Sequence, residues 1–192
     1  PAWHFGIPVV SHRSQKFDPE FTFNLISKLN IQNTFLPPTA LKMMKSFNPS
    51  STKYKLNLRT IGSGGEALGE DLLEWGKKIL GVNINEFYGQ TECNLTISNS
   101  WAIMPTKPGS IGKPVPGHEV RIMNKRGEFI KEPGVDGEIV VNNNTPVAFL
   151  KYWENDKETQ NKVINGWLHT GDFAFRDDEG YFYFKGREDD II

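Results

Sequence analysis

Phe87-Tyr88-Gly89-Gln90-Thr91-Glu92 brings an aromatic face, a glycine, a hydroxyl and a carboxylate together within one short stretch. Groups of these kinds, this close, suit a nucleotide monophosphate and its metal ion. An aromatic ring stacks on a base, and Gly89 lets backbone approach a ligand without a Cβ. Thr91 offers a donor to a phosphate oxygen. Glu92 offers a ligand to Mg²⁺, which takes one or two carboxylates and completes its shell with substrate phosphates and water. The simpler reading of the hexapeptide alone is a strand end followed by an ordinary turn.

Three other segments carry complementary chemistry. Gly62-Ser63-Gly64-Gly65-Glu66-Ala67 follows a strand pattern and precedes a helix pattern, which aims backbone amides at a ligand. No Gly-Lys-Ser/Thr follows, so it is not a Walker A loop. His169-Thr170-Gly171-Asp172 sets a carboxylate beside a glycine, an acceptor for the two hydroxyls of a ribose. Gly186-Arg187-Glu188-Asp189-Asp190 puts an arginine directly after a strand, where its planar fork suits a phosphate or ribose contact. Taken singly these read as a glycine-rich turn, an Asx turn and a solvated charged turn. Pro108-Gly109-Ser110-Ile111-Gly112-Lys113-Pro114 reads as a structural turn.

The elements that must position these groups alternate in the first half. Gly6 to Val10 reads as a strand. Asp18 caps a helix that begins at Pro19 and buries Phe21, Leu25, Ile26 and Leu29. Ile31 to Leu36 reads as strand. A second helix, capped by Thr39, carries Ala40, Met43, Met44 and Phe47 and stops at Asn48-Pro49. Leu56 to Ile61 is a third strand; the helix after it carries Leu72, Leu73, Ile79 and Leu80 and is closed by Gly81. Val82 to Phe87 is a fourth, with the hexapeptide opening at its end. Such alternation predicts a mostly parallel α/β layer, with ligands beyond the carboxyl ends of the strands. From about Pro105 glycine and proline become frequent. Val120 to Met123, Gly127 to Ile130 and Gly137 to Val141 predict antiparallel strands. A short helix follows over Asp156 to Val163, and a last aromatic strand over Gly180 to Gly186. The expected organisation is an α/β subdomain over 1–104 holding the adenine and phosphate loops. A small antiparallel β-barrel subdomain over 105–186 follows, and 187–192 lie beyond it.

Composition narrows the classes. The chain has 192 residues, 38% hydrophobic and 23% charged, enough to bury a core and not the profile of a disordered chain. A formal net charge of -1 with scattered Lys and Arg argues against nucleic acid as a partner. The single cysteine, Cys93, excludes an internal disulfide and fits a reducing, cytoplasmic compartment. It reads as a small residue filling space rather than a nucleophile. No apolar run approaches the ~18 residues a membrane span needs. The first residues have no basic n-region, and both ends stop mid-pattern, so an internal fragment of a longer protein is expected.

Taken in order, these motifs resemble the adenylate-forming enzymes, which include acyl-CoA synthetases, luciferases and peptide-synthetase adenylation domains. The resemblance runs from the Gly-Gly-Glu turn through Tyr88-Gly89-Gln90-Thr91-Glu92 and Pro108-Gly109-Ser110-Ile111-Gly112. It continues to Trp167-Leu168-His169-Thr170-Gly171-Asp172 and Gly186-Arg187-Glu188-Asp189-Asp190, so it covers essentially the whole chain. It implies that Gly65, Glu66 and Ala67 line an adenine, that Tyr88 stacks on it, and that Glu86 and Phe87 adjoin it, with Gly89 and Gln90 in the same loop. Thr91 would contact the α-phosphate and Glu92 would hold Mg²⁺, the two residues nearest the reacting centre. Asp172 would hold the ribose hydroxyls with Arg187, and 187–192 would begin a hinge, at Asp189, to a C-terminal domain in cis. The implied substrates are a carboxylic acid, ATP and coenzyme A, with AMP as product. The family's phosphate loop and C-terminal lysine have no counterpart in these residues, so negligible ligase activity is expected of them alone. Acetate-selective members of the family close the acyl pocket with tryptophan at the position of Gly89 and a bulkier residue at that of Gly64. Glycine at both predicts an acid longer than acetate. The general style is closest to acetyl- and medium-chain acyl-CoA synthetases. Loading of a carrier protein, or nucleotide binding without catalysis, are the alternative readings.

Overall fold

Asp18 starts the first helix, α1 (Pro19–Lys28), by accepting the Phe21 N–H at 3.1 Å, and Pro19 supplies a pre-set φ at the first position. The structure is a computed structural model and describes residues 2–47, 53–66, 68–145 and 147–187. The buried face of α1 is Phe23 and Ile26, while Phe21 and Leu29 of the expected face point outward. The face turns because Phe23 stacks on Tyr54, with ring centroids 5.3 Å apart, a partner that helical spacing cannot reveal. The second helix, α2 (Pro38–Phe47), begins two residues early, so Thr39 lies in its first turn instead of capping it. It buries Ala40, Leu41 and Met44 and leaves Met43 outside. The expected stop at Asn48-Pro49 lies outside the described residues.

Gly6 to Val10 is not a strand. The chain leaves a single 3-10 turn (Ala2–Phe5) with Ile7, Val9 and Val10 exposed, and no described strand runs beside it. Pro8 removes one ladder donor from a segment that has no ladder to join.

Five strands form the first sheet in chain order: β1 (Asn33–Phe35), β2 (Thr60–Ser63), β3 (Ile84–Gln90), β4 (Asn94–Ser98) and β5 (Lys113–Pro114). β2 starts at Thr60 rather than Leu56, and the helix after it, α3 (Glu70–Trp75), runs into a π turn over Gly76–Leu80. Gly81, at φ 68, closes that turn in the left-handed conformation expected of it. β1, β2 and β3 pair in parallel, as the alternation predicts. β3 then changes partner. Ile84 to Glu86 lie parallel to β2, whereas Phe87 to Gln90 lie antiparallel to β4, with an irregularity between Tyr88 and Gly89. The hexapeptide is therefore strand as far as Gln90, and only Thr91 to Cys93 form the turn. Its aromatic residues keep to strand geometry because the chain folds straight back to supply a partner.

The second sheet is antiparallel: β6 (Val120–Met123), β7 (Phe129–Ile130), β8 (Gly137–Asn142), β10 (Trp167–Arg176) and β11 (Phe182–Arg187), in the order β11-β10-β8-β6-β7. A short β9 (Val163–Ile164) pairs with β10. α4 (Asp156–Lys162) precedes it, capped by Asn155, which accepts the Glu158 N–H at 3.2 Å. Two cores result. One places Phe23, Leu41, Met44 and Leu72 against Ile61 and Ile84. The other joins Cys93, Ile97 and Ile111 from the first sheet's far side to Val120, Ile139, Leu168 and Phe182 of the second.

Candidate functional site

The site is organised around Asp172, and its position comes from a fault in the β8–β10 ladder. Pairing is regular up to His169↔Val140 and resumes only at Phe173↔Glu138, so Thr170, Gly171 and Asp172 bulge out. Gly171 sits at φ 75, which favours glycine. The Thr170 hydroxyl donates to the Ile139 carbonyl at 2.7 Å and accepts the Asp172 N–H at 3.1 Å. The bulge turns the Asp172 carboxylate toward β3. There the Tyr88 hydroxyl donates to it at 2.6 Å and the Gln90 amide at 2.5 Å, while Gln90 also donates to the Thr170 carbonyl at 2.9 Å. Asp172 is only 5% exposed, so these bonds replace most of its water. Burial, reinforced by the neighbouring Asp172 charge, pushes the Tyr88 hydroxyl far above the usual phenol range and keeps it a donor. Arg187, at the end of β11, stands opposite Asp172 in the ladder.

Beside this pair lies a cavity of about 300 Å³. Gly65, Glu66, Glu86, Phe87, Tyr88, Gly89, Gln90, Asp172 and Arg187 all line it, joined by Ile111 and Phe184, which sequence reasoning did not select. A neighbouring cleft of about 480 Å³ shares Gly65, Phe87, Gly89 and Gln90 and adds Thr91, Asn94 and Leu95. Residues from all four sequence segments thus meet at one place. A larger cleft of about 690 Å³, around Phe129 and Trp167, lies among β6 to β10 and shares no lining residue with the cavity, though His169 lines it. Ala67 and Asp189 lie outside the described residues.

Two carboxylates at the site are set in opposite directions. Glu86 is buried in β3, where its carboxylate accepts the Leu68 N–H at 3.2 Å. Burial pushes it up to about 7 against the opposing effect of that amide. Glu92, on the turn after β3, accepts the Tyr152 hydroxyl at 2.6 Å, and its carbonyl accepts the Phe149 N–H at 2.8 Å. Burial works to raise Glu92, but the Tyr152 bond, a backbone amide and the charges of Lys162 and Arg187 together hold it below the usual carboxylate range. It is therefore ionised at neutral pH. Among the described residues no group of three His, Cys, Asp or Glu side chains converges on a point. A single ionised carboxylate fits Mg²⁺, whose remaining ligands come from phosphate and water.

Gly64 and Gly89 are fixed by the backbone. A Cβ on Gly89 would fall 1.8 Å from the Asn94 carbonyl oxygen, and one on Gly64 would fall 2.7 Å from the Phe87 carbonyl oxygen. The space each side chain would first enter is filled by protein, and neither glycine leaves an empty volume where its Cβ would sit. Sequence reasoning also passed over Tyr152, Glu138 and Lys162, whose Nζ donates to the Thr170 carbonyl at 3.2 Å. Tyr152 meets Glu92 across 60 positions of chain, a pairing with no local signal. Cys93, read as a space-filling residue, is buried in the second core, and burial raises its thiol. No described helix is long and apolar enough to cross a membrane.

A family model described as AMP-binding enzyme matches residues 1–153. The chain is 33% identical over 180 residues to the acetyl-coenzyme A synthetase of Bacillus subtilis (strain 168), covering 92% of this chain and 31% of that protein. It is 35% identical over 194 residues to the mitochondrial acyl-coenzyme A synthetase ACSM3 of Rattus norvegicus, covering 99% of this chain and 33% of that protein. Among solved structures, the anthranilate CoA ligase AuaEII in complex with anthranoyl-AMP superposes with a TM-score of 0.90 at 29% identity, over 99% of this chain and 36% of that one. The O-succinylbenzoate coenzyme A synthetase MenE of Bacillus subtilis, in complex with AMP, gives 0.85 at 28% identity, over 100% of this chain and 38% of that one. The chain spans about a third of the length of these relatives.

Proposed function

The chain belongs to the AMP-binding enzyme family, in its acyl-CoA synthetase branch, and we propose that its cavity holds AMP and that the whole protein is an AMP-forming acid–thiol ligase. In that reaction a carboxylate oxygen attacks the α-phosphorus of ATP and pyrophosphate leaves, giving an acyl-adenylate. The thiol of coenzyme A then attacks the acyl carbonyl, and AMP leaves with the bonding electrons of the broken acyl–oxygen bond. Attack by an anion on a polyphosphate needs its charge neutralised, which Mg²⁺ held by Glu92 would supply.

The other roles follow from what lines the cavity. The Tyr88 ring would stack on adenine, beside Gly65 and Glu66 and the backbone of Glu86 and Phe87. Asp172 would accept the ribose hydroxyls, assisted by Arg187, and Thr91 in the adjoining cleft would contact the α-phosphate. The observation that carries this reading is Asp172, held almost out of water on a bulge by donors from the facing sheet. Titration of AMP into the chain tests it. Asp172→Asn is expected to weaken binding about ten-fold or more, the usual loss for a hydrogen bond to a charged group; unchanged affinity would sink the reading.

The acid is proposed to be longer than acetate, of medium or longer chain or aromatic. The motive is glycine at positions 64 and 89, where acetate-selective relatives carry larger side chains, although the backbone beside each glycine fills the space its own Cβ would take. Support comes from the cleft of about 480 Å³ that continues past Gly89. Each buried methylene would add ~0.8 kcal/mol. Turnover by the complete enzyme is expected to favour hexanoate or octanoate over acetate; the reverse order would refute the length assignment alone.

A further inference from the structure

Glu138 lies on β8 behind the bulge and lines the larger cleft, not the nucleotide cavity. Its carboxylate has two engagements. One oxygen accepts the Gly171 N–H at 2.9 Å, and the other meets His169 Nδ1 at 2.8 Å. Both side chains are largely enclosed, Glu138 at 19% and His169 at 23% exposed. The Gly171 amide needs this acceptor because the ladder has none to offer it. β10 carries three residues between its pairings to Val140 and to Glu138, where β8 carries only one. The residue on either side of Gly171 is tied by other groups: Thr170 by Ile139, Gln90 and Lys162, and Asp172 by Tyr88 and Gln90. Glu138 closes the middle of the bulge.

We propose that Glu138 is a positioning residue for nucleotide binding: its carboxylate fixes the Thr170-Gly171-Asp172 bulge and so the direction of Asp172, and His169 orients Glu138 from the other side. The proposal rests on the reading of Asp172 as the ribose acceptor. Glu138 does not reach the ligand, so its effect is confined to the contact that Asp172 makes. On the phosphate side, Glu92 is held by bonds to Phe149 and Tyr152, neither of which involves Glu138.

The experiment compares AMP with 2′,3′-dideoxy-AMP, which lacks both ribose hydroxyls, by titration calorimetry on the 192-residue chain. The wild-type chain is expected to prefer AMP by about ten-fold or more, the effect of hydrogen bonds to a charged acceptor. Glu138→Ala should bring that ratio close to one by weakening AMP alone, with dideoxy-AMP unchanged. Glu138→Gln keeps an acceptor for Gly171 and should retain most of the preference. Glu138→Asp, one methylene shorter, cannot span both partners and should lose it, which keeps the test decisive if the alanine variant fails to fold. A wild-type ratio preserved in Glu138→Asp and Glu138→Ala overturns the proposal. So does an equal loss for both ligands, which would mark a general structural role. A wild-type chain that binds the two equally, or binds neither, overturns the ribose reading and this proposal with it.

Discussion

Glu86 shows how one buried side chain couples this fold to pH. It is 5% exposed and its carboxylate is pushed up from 4.5 to about 7, chiefly by burial. Between those values the folded chain keeps a proton that the unfolded chain has already lost. Stability should therefore fall as pH rises from about 4.5 to about 7 and level off above it. Glu86→Gln mimics the neutral form and retains an acceptor for the Leu68 amide. The variant is expected to lose that slope and, at pH 8, to exceed wild type by about 1–3 kcal/mol. Urea unfolding at pH 5 and pH 8 measures it, and a variant with the wild-type slope would mean that Glu86 titrates in the ordinary carboxylate range. At this scale the sequence named Glu86 only as a neighbour of the base, because nothing in Asn85-Glu86-Phe87 announces that Leu68 will cover it. Asp172 was legible as an acceptor; the two donors that hold it, more than 80 positions away, were not.

Gly112 is where the two sheets are pinned. Phe182 N–H donates to its carbonyl at 2.8 Å, and a Cβ on it would fall 2.1 Å from the Ser98 carbonyl carbon. Its φ of 102 lies in the region that glycine favours. Gly112→Ala would meet both a backbone collision and left-handed strain, and is expected to cost about 3 kcal/mol or more. Gly109→Ala carries the φ penalty alone, at φ 76 with no atom near its Cβ, and should cost only about 1–2 kcal/mol. Thermal unfolding of the pair separates collision from strain, and equal losses would show that Ser98 moves aside freely. Elements whose signals are local were read well: the Asp18 cap, the short helix beginning at Asp156 and the antiparallel strands β6, β7 and β8 all stand where turn residues and composition indicate. Elements decided by distant partners were not. β10 was unrecognised because Thr170, Gly171 and Asp172 put two polar residues and a glycine in its middle, and those three residues are the bulge that makes the site. The apolar run at Gly6 to Val10 has the composition of a strand but no described partner.

A parallel layer gathers successive strand ends on one edge, which made the meeting of the glycine-rich turn and the hexapeptide legible; that Asp172 and Arg187 of the antiparallel sheet join them was implied by the family resemblance alone. What joins the halves was not legible, because it consists of contacts between residues far apart in sequence. The proposed division into 1–104 and 105–186 is crossed by β5, which the first sheet takes from Lys113–Pro114. It is crossed again by Ile97, fully buried among Ile139, Leu168 and Phe182. Tyr88 and Gln90 reach over the same boundary to Asp172. Removing the second sheet would expose Ile97 and Cys93 and strip the donors of their acceptor, so the two cores should unfold as one unit. Amide exchange under mild denaturant is the direct measure. Amides of β2 in the first core and β8 in the second are expected to share one opening free energy, and AMP at 100 times its Kd should raise both by about 2.7 kcal/mol. Ile97→Ala should lower both by about 2–5 kcal/mol, the usual cost of emptying a buried aliphatic site. If AMP protected β8 and left β2 unchanged, the halves would be energetically separate. Residues 1–104 would then contribute one wall of the nucleotide cavity without sharing in the stability that the nucleotide confers.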